Sequence, residues 1–215
     1  MTTTEELRHQ ICEIGKRAWT RGFVAASDGN ISARLDEDRV LCTPTMTCKG
    51  FLSPESLCIV DMAGKLIEGE QKPTSEIRLH LSVYRQRADI RSVFHSHAPY
   101  ATAFAVTGQT VPRNVLAEPE LFLGNVPIAP YAITGSEEFS RSIDPFVQTT
   151  NAILLANHGV VTYHDSVETA FWLTEMLDAY CRILINAKAL GPVQTLSDSQ
   201  VEELSVLRKR WGYQP

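Results

Sequence analysis

Residues 92–98 read SVFHSHA. The segment has the composition of a strand, and along a strand residues two apart point to one face. His95 and His97 therefore stand side by side, either inside a core or around a shared ion. A third histidine, His158, lies in LLANHGVV, where two apolar runs break at Asn157-His158-Gly159 and the glycine lets the backbone turn. Three imidazoles, two on one strand and one at the end of another, suffice for a divalent metal with a coordination position left open. The same letters also describe histidines that merely pack and hydrogen-bond.

The rest of the chain says what surrounds those strands. Leu7, Ile11, Ile14 and Ala18 recur at helical spacing, and Gly22 can end that helix. SDGNISARLD turns into a strand, RVLCTPT and SLCIVD are further strands, and DMAGKLIEG is a hairpin. A helix begins near Pro73 and runs to about Arg87, with Ile77, Leu79, Leu81 and Tyr84 for packing. APYATAFAV is helical, VPIAPYA extended, and SEEFSRSIDPF opens a helix with acidic residues in its first turn. A long amphipathic helix starts at Ser166 and a last one covers SDSQVEELSVLRKRW. No Gly/Ser/Pro-rich linker or repeat interrupts the pattern, so residues 1–215 read as one domain with a sheet covered by helices.

Composition narrows the function. A net charge of −5 offers no footprint for nucleic acid or an anionic membrane, and no apolar run approaches the roughly 20 residues of a membrane span. MTTTEELRHQ has no apolar signal core. The five cysteines are odd in number and form no CxxC pair, which argues against a disulfide framework and for a reducing cytoplasm.

A carboxylate follows from KPTSEIRLH. Thr74 and Ser75 lead into a helix whose first turn holds Glu76, where free amides attract anions. Glu76 either complements that helix end or serves as acid or base near a metal. His80, four residues on, reads as its surface i,i+4 partner. In the SDGNIS and CTPT loops, Gly29 permits a tight turn, and Asn30, Ser32, Thr45 and Thr47 offer uncharged polar groups.

The order GNIS, TPT, PTSE, HSHA, PYAITG, NHG resembles the class II aldolase/adducin family, and within it the L-fuculose-phosphate aldolase type. The resemblance runs from about Glu5 to Tyr213. It implies a three-layer α/β/α fold with a central mixed, mostly antiparallel sheet. It implies a zinc ion on His95, His97 and His158, whose nitrogens also suit cobalt, iron, nickel or manganese, and Glu76 as the acid/base. It implies a phosphate cradle of Gly29, Asn30, Thr45, Thr74 and Ser75. The expected reaction cleaves or forms a carbon–carbon bond in a ketose 1-phosphate or related sugar through an enediolate, in a homotetramer with interfacial sites.

Two departures stand out. The glycine expected after TPT is Met46, and the tyrosine that such enzymes supply from a neighbouring subunit falls at Leu116, with Glu118 and Glu120 nearby as substitutes. A second such tyrosine falls near Trp211 or Tyr213. Sugar-phosphate epimerases of the family resemble a pattern with aspartate at the position of Glu76, and decarboxylases also differ there, so glutamate favours aldol chemistry; a dehydratase of the same superfamily stays open as an alternative. A non-catalytic adducin-like module would lack the complete set of histidines and glutamate.

Overall fold

The computed structural model describes residues 2–211. It begins with α1 (Thr4–Thr20), where Thr3 and Glu6 form a reciprocal capping box. The helix ends in a Schellman arrangement. Gly22, at φ 73°, donates to Trp19 O, and Phe23 donates back to Ala18 O. The other helices are α2 (Ile77–Gln86), α3 (Pro99–Thr107), α4 (Ala117–Phe122), α5 (Glu137–Arg141), α6 (Val167–Leu190) and α7 (Asp198–Arg210). The short α4 carries no periodic pattern long enough to read from sequence.

The strands are β1 (Asn30–Arg34), β2 (Arg39–Cys42), β3 (Cys58–Asp61), β4 (Leu66–Glu68), β5 (Ser92–Ser96), β6 (Ile128–Ala129), β7 (Ala152–Leu155) and β8 (Gly159–His164). They form one sheet in the order β4-β3-β2-β1-β5-β8-β7-β6. β6 pairs parallel with β7, and every other pair is antiparallel. The expected mixed, mostly antiparallel sheet is present.

The period-2 alternation of each strand divides the core in two. Ile31, Ala33, Leu41, Phe94, Leu154 and Val160 join one apolar cluster with residues of α1, α3 and α6. Val40, Cys42, Val93, Ile153, Val161 and Tyr163 join another with residues of α2 and α5. Sheet and flanking helices thus make the three layers. Full burial of a side chain such as Phe171 or Leu81 stabilises by about 1.5–3 kcal/mol. All five cysteines are free thiols.

This register positions the site. β5 lies at the centre between β1 and β8, with Asn30 opposite His95 and Val161 opposite His95 on the other side. Because Phe94 faces the α1/α3/α6 layer, His95 faces the α2 layer, and so do Asn30 and Ser32 of β1.

Candidate metal centre

Three histidines converge at the end of the sheet. His95 is in β5, His97 follows its last residue, and His158 sits in the turn that joins β7 to β8. That turn is tight: Leu155 pairs with Gly159, His158 donates to Leu155 O, and Asn157 takes a left-handed φ of 54°. The ring centroids are 5.2, 4.7 and 4.9 Å apart, and each ring offers a nitrogen within 4.8 Å of the others. Two glycines permit this crowding. A β-carbon on Gly159 would lie 2.4 Å from Ser96 O and 2.8 Å from the His97 ring. One on Gly29, at φ 69°, would lie 2.8 Å from His95 O.

The His95 tautomer is set by what its ring touches. His95 Nδ1 lies 2.9 Å from Val160 O, which only accepts, so Nδ1 carries the hydrogen and Nε2 a lone pair. His97 Nδ1 faces the Asp28 carboxylate at 3.4 Å, the kind of outer contact that orients a ligating imidazole. Among the described residues, the buried Nε2 atoms of His95 and His97 and Nδ1 of His158 have no hydrogen-bond partner. Burial, followed by the neighbouring imidazoles, holds His95 well below the ordinary histidine range; burial also lowers His158. Three imidazoles with nitrogens within 4.8 Å of one another, one of them the bare Nε2 of His95, fit a divalent cation.

Glu76 completes the cluster. It is the N-cap residue of α2 rather than part of its first turn, and its side chain caps nothing. The carboxylate instead places Oε2 3.3 Å from His95 Nε2 and Oε1 3.5 Å from His158 Nε2. Capping the helix end by a hydrogen bond is therefore not what this side chain does.

Behind Glu76 runs a ladder that sequence reasoning missed. Asn30 Nδ2 donates to Glu76 Oε2 at 3.1 Å. Asn30 Oδ1 lies 2.6 Å from His80 Nε2, His80 Nδ1 lies 2.7 Å from Ser32 Oγ, and Ser32 Oγ lies 2.8 Å from Tyr84 Oη. His80 is fully buried, so the expected surface pair with Glu76 is wrong. Glu76, His80 and Tyr84 occupy one helical stripe, at i, i+4 and i+8, and that stripe faces β1. A helix rises about 6 Å over four residues and a strand about 6.6 Å over two, so Asn30 and Ser32 fit into its intervals. The sequence signal was the polar i,i+2 pair of β1 facing a polar i,i+4,i+8 stripe.

The residues expected to cradle phosphate are only partly gathered. An isolated bridge joins Pro44 to Pro73, Thr45 N–H donates to Lys72 O, and Thr74 N–H donates to Thr43 O, which sets the two hydroxyl-bearing loops side by side. Ser75 is exposed beside Gly135 of the PYAITG segment, while the buried Thr74 accepts from Glu76 N–H. The Asn30 side chain is committed to Glu76 and His80, and Gly29 packs under His95. Met46 adopts φ 53°, the left-handed conformation glycine favours, with its side chain in solvent. Lys49, absent from the expectations, is buried and donates to Ser27 O and Thr47 O at 2.6 and 2.7 Å, tying the two loops together.

Leu116 packs against the apolar core, and Glu120 is buried in an ion pair with Arg113, which leaves Glu118 exposed. Trp211 stacks on Phe122, and Tyr213 lies outside the described residues.

Comparison with known proteins agrees with this arrangement. Residues 9–185 match the class II aldolase and adducin N-terminal domain. The chain belongs to the class II aldolase/adducin family. Within that family it is 32% identical to a 3-oxo-tetronate 4-phosphate decarboxylase of Haemophilus influenzae, over 89% of this chain and 92% of the relative. It is 31% identical to a 5-deoxy-D-ribulose 1-phosphate aldolase of Bacillus thuringiensis, over 96% and 97%. It is 33% identical to an L-fuculose phosphate aldolase of Methanococcus vannielii, over 81% and 91%. The solved structure of an L-fuculose 1-phosphate aldolase superposes with a TM-score of 0.87 at 24% identity, covering 97% of both chains, and shows the same fold.

Proposed function

We propose that this class II aldolase-superfamily protein is a zinc-dependent lyase that cleaves or forms a carbon–carbon bond in a ketose 1-phosphate or related sugar. His95, His97 and His158 hold the metal, and Glu76 is the acid/base. The observation that carries this reading is the Glu76 carboxylate set 3.3 and 3.5 Å from two imidazole nitrogens. An all-imidazole set suits zinc, which would lend Lewis acidity to the oxygens beside the reacting carbon. In the condensation direction Glu76 takes the proton from the carbon next to the carbonyl, leaving an enediolate. In the cleavage direction the bond to the departing aldehyde breaks and Glu76 returns that proton. Thr45, Thr74 and Ser75 face the phosphate, and Met46 stands in the left-handed conformation of the expected glycine with its side chain turned to solvent.

A homotetramer with interfacial sites fits the absence of a tyrosine at Leu116, and the exposed Tyr131 and Ile133 fit a surface covered by a second copy. Five free thiols fit a reducing cytoplasm. A second reading, decarboxylation of a 3-oxo acid phosphate, is favoured by the likeness to the Haemophilus decarboxylase. It demands the same quenching of a carbanion by a positioned acid.

The test is the Glu76→Gln variant, assayed for exchange of the α-proton of dihydroxyacetone phosphate in deuterated solvent, with metal measured on the same samples. Metal should stay, and exchange and kcat should fall by on the order of 10²-fold or more. Exchange at the wild-type rate would remove Glu76 as the base. A panel of aldehydes and of 3-oxo acid phosphates then separates aldol chemistry from decarboxylation.

A further inference from the structure

The ladder behind Glu76 has a direction, which follows from one end. An ionised carboxylate only accepts, so Asn30 must turn its NH₂ to Glu76 Oε2 and its carbonyl oxygen to His80. A carbonyl oxygen only accepts, so His80 Nε2 carries the hydrogen. Among the described residues no carboxylate is bonded to the His80 ring, and burial pulls its pKa down to about 3, so the ring is neutral and Nδ1 is bare. Ser32 must then donate to Nδ1, and Tyr84 must donate to Ser32. Each group is used in one polarity, and all five are buried.

We propose that His80 is a positioning residue: held as its Nε2–H tautomer by Ser32 and Tyr84, it locks the Asn30 amide so that Glu76 Oε2 is pinned and Oε1 is the oxygen that moves the substrate proton. This rests on the acid/base role proposed above for Glu76. The physical content is that a free asparagine amide can rotate end for end. With its oxygen toward Glu76 it would repel the carboxylate that must accept the proton. His80 removes that alternative, because in the locked tautomer its Nε2–H would then oppose the Asn30 NH₂, donor against donor. Oε1, on the His158 side, has no such donor from Asn30 and is left for the reaction.

The experiment has two arms. The first is nitrogen NMR of ring-labelled, zinc-loaded protein, with the His80 signals assigned by their loss in His80→Gln. Nε2 protonated and Nδ1 bare from pH 6 to pH 8 is the expected result; an Nδ1–H tautomer or a doubly protonated ring overturns the proposal. The second arm measures zinc content, KM and kcat for proton exchange of dihydroxyacetone phosphate in Ser32→Ala, His80→Leu and His80→Gln. Ser32→Ala touches neither Glu76 nor the metal, so it reports on the lock if the leucine variant fails to fold. Ser32→Ala and His80→Leu should lose roughly ten- to a hundredfold in kcat with zinc and KM within about twofold. His80→Gln, which keeps a donor and an acceptor, should stay closer to wild type. Folded His80→Leu and Ser32→Ala variants with wild-type kcat would overturn the proposal. Wild-type protein inert toward dihydroxyacetone phosphate in both exchange and cleavage would instead count against the proposed function, and the NMR arm alone would then decide whether His80 is locked.

Discussion

In front of Glu76, three imidazoles bring ring nitrogens within 4.8 Å of one another, and the Nε2 atoms of His95 and His97 have no hydrogen-bond partner among the described residues; behind it, every rung of the Asn30–His80–Ser32–Tyr84 ladder is made at 2.6–2.8 Å. Both groups are polar and both contain histidine; the ladder is buried throughout, whereas in front His95 is buried and His97 and His158 are half-buried. An unpaired polar atom in a protein interior costs about 1–3 kcal/mol, so a cluster of them persists where a ligand will satisfy them. A fully paired network fixes geometry instead. The difference separates a place that binds from a place that positions, which histidine content alone does not.

The strongest way to break this comparison is His97→Ala. It removes one front nitrogen and leaves the rear ladder intact. Metal analysis should find little bound metal, activity should fall to background, and thermal stability without metal should change little, because His97 is only half-buried. Stoichiometric metal in this variant would mean that the front is not the site.

Gly159→Ala sharpens the comparison at intermediate cost. Its β-carbon would press on Ser96 O and the His97 ring, which bear on the front only. Overpacking of this kind costs about 1–3 kcal/mol in a denaturant titration, and metal affinity should weaken while the His80 tautomer stays as in wild type. A change in that tautomer would show that front and rear are not separate.

The smallest effect concerns Lys49, a buried cation whose partners are the Ser27 and Thr47 carbonyls. Burial lowers its pKa to about 8, against about 10.4 in an unfolded chain. Between those values the unfolded chain holds a proton that the folded protein has released, so stability rises with pH over that window. Below pH 8 Lys49 is charged in both states and contributes no slope. Lys49→Met should flatten the rise when unfolding is followed from pH 7 to pH 11. An unchanged slope would mean that Lys49 reaches solvent.

Much of this molecule was legible in its letters. The Leu7–Ile11–Ile14–Ala18 stripe gave α1, and SVFHSH and NAILLANHGVVTY gave the central strands. The i,i+2 spacing put His95 and His97 side by side. These follow from periodicity, and periodicity is local: a helix or strand fixes which of its own residues share a face. The tertiary structure decided which faces meet. The i,i+4 rule joined Glu76 to His80 on one helix and sent that pair to the surface, whereas packing of α2 on β1 turned the stripe inward and set Asn30 between them. Glu76 and Asn30 are 46 residues apart, and His95 Nδ1 meets a carbonyl 65 residues away. Contacts across such separations depend on strand register and helix placement. Those are settled by the burial of both apolar faces of the sheet at once, which no short stretch of sequence encodes.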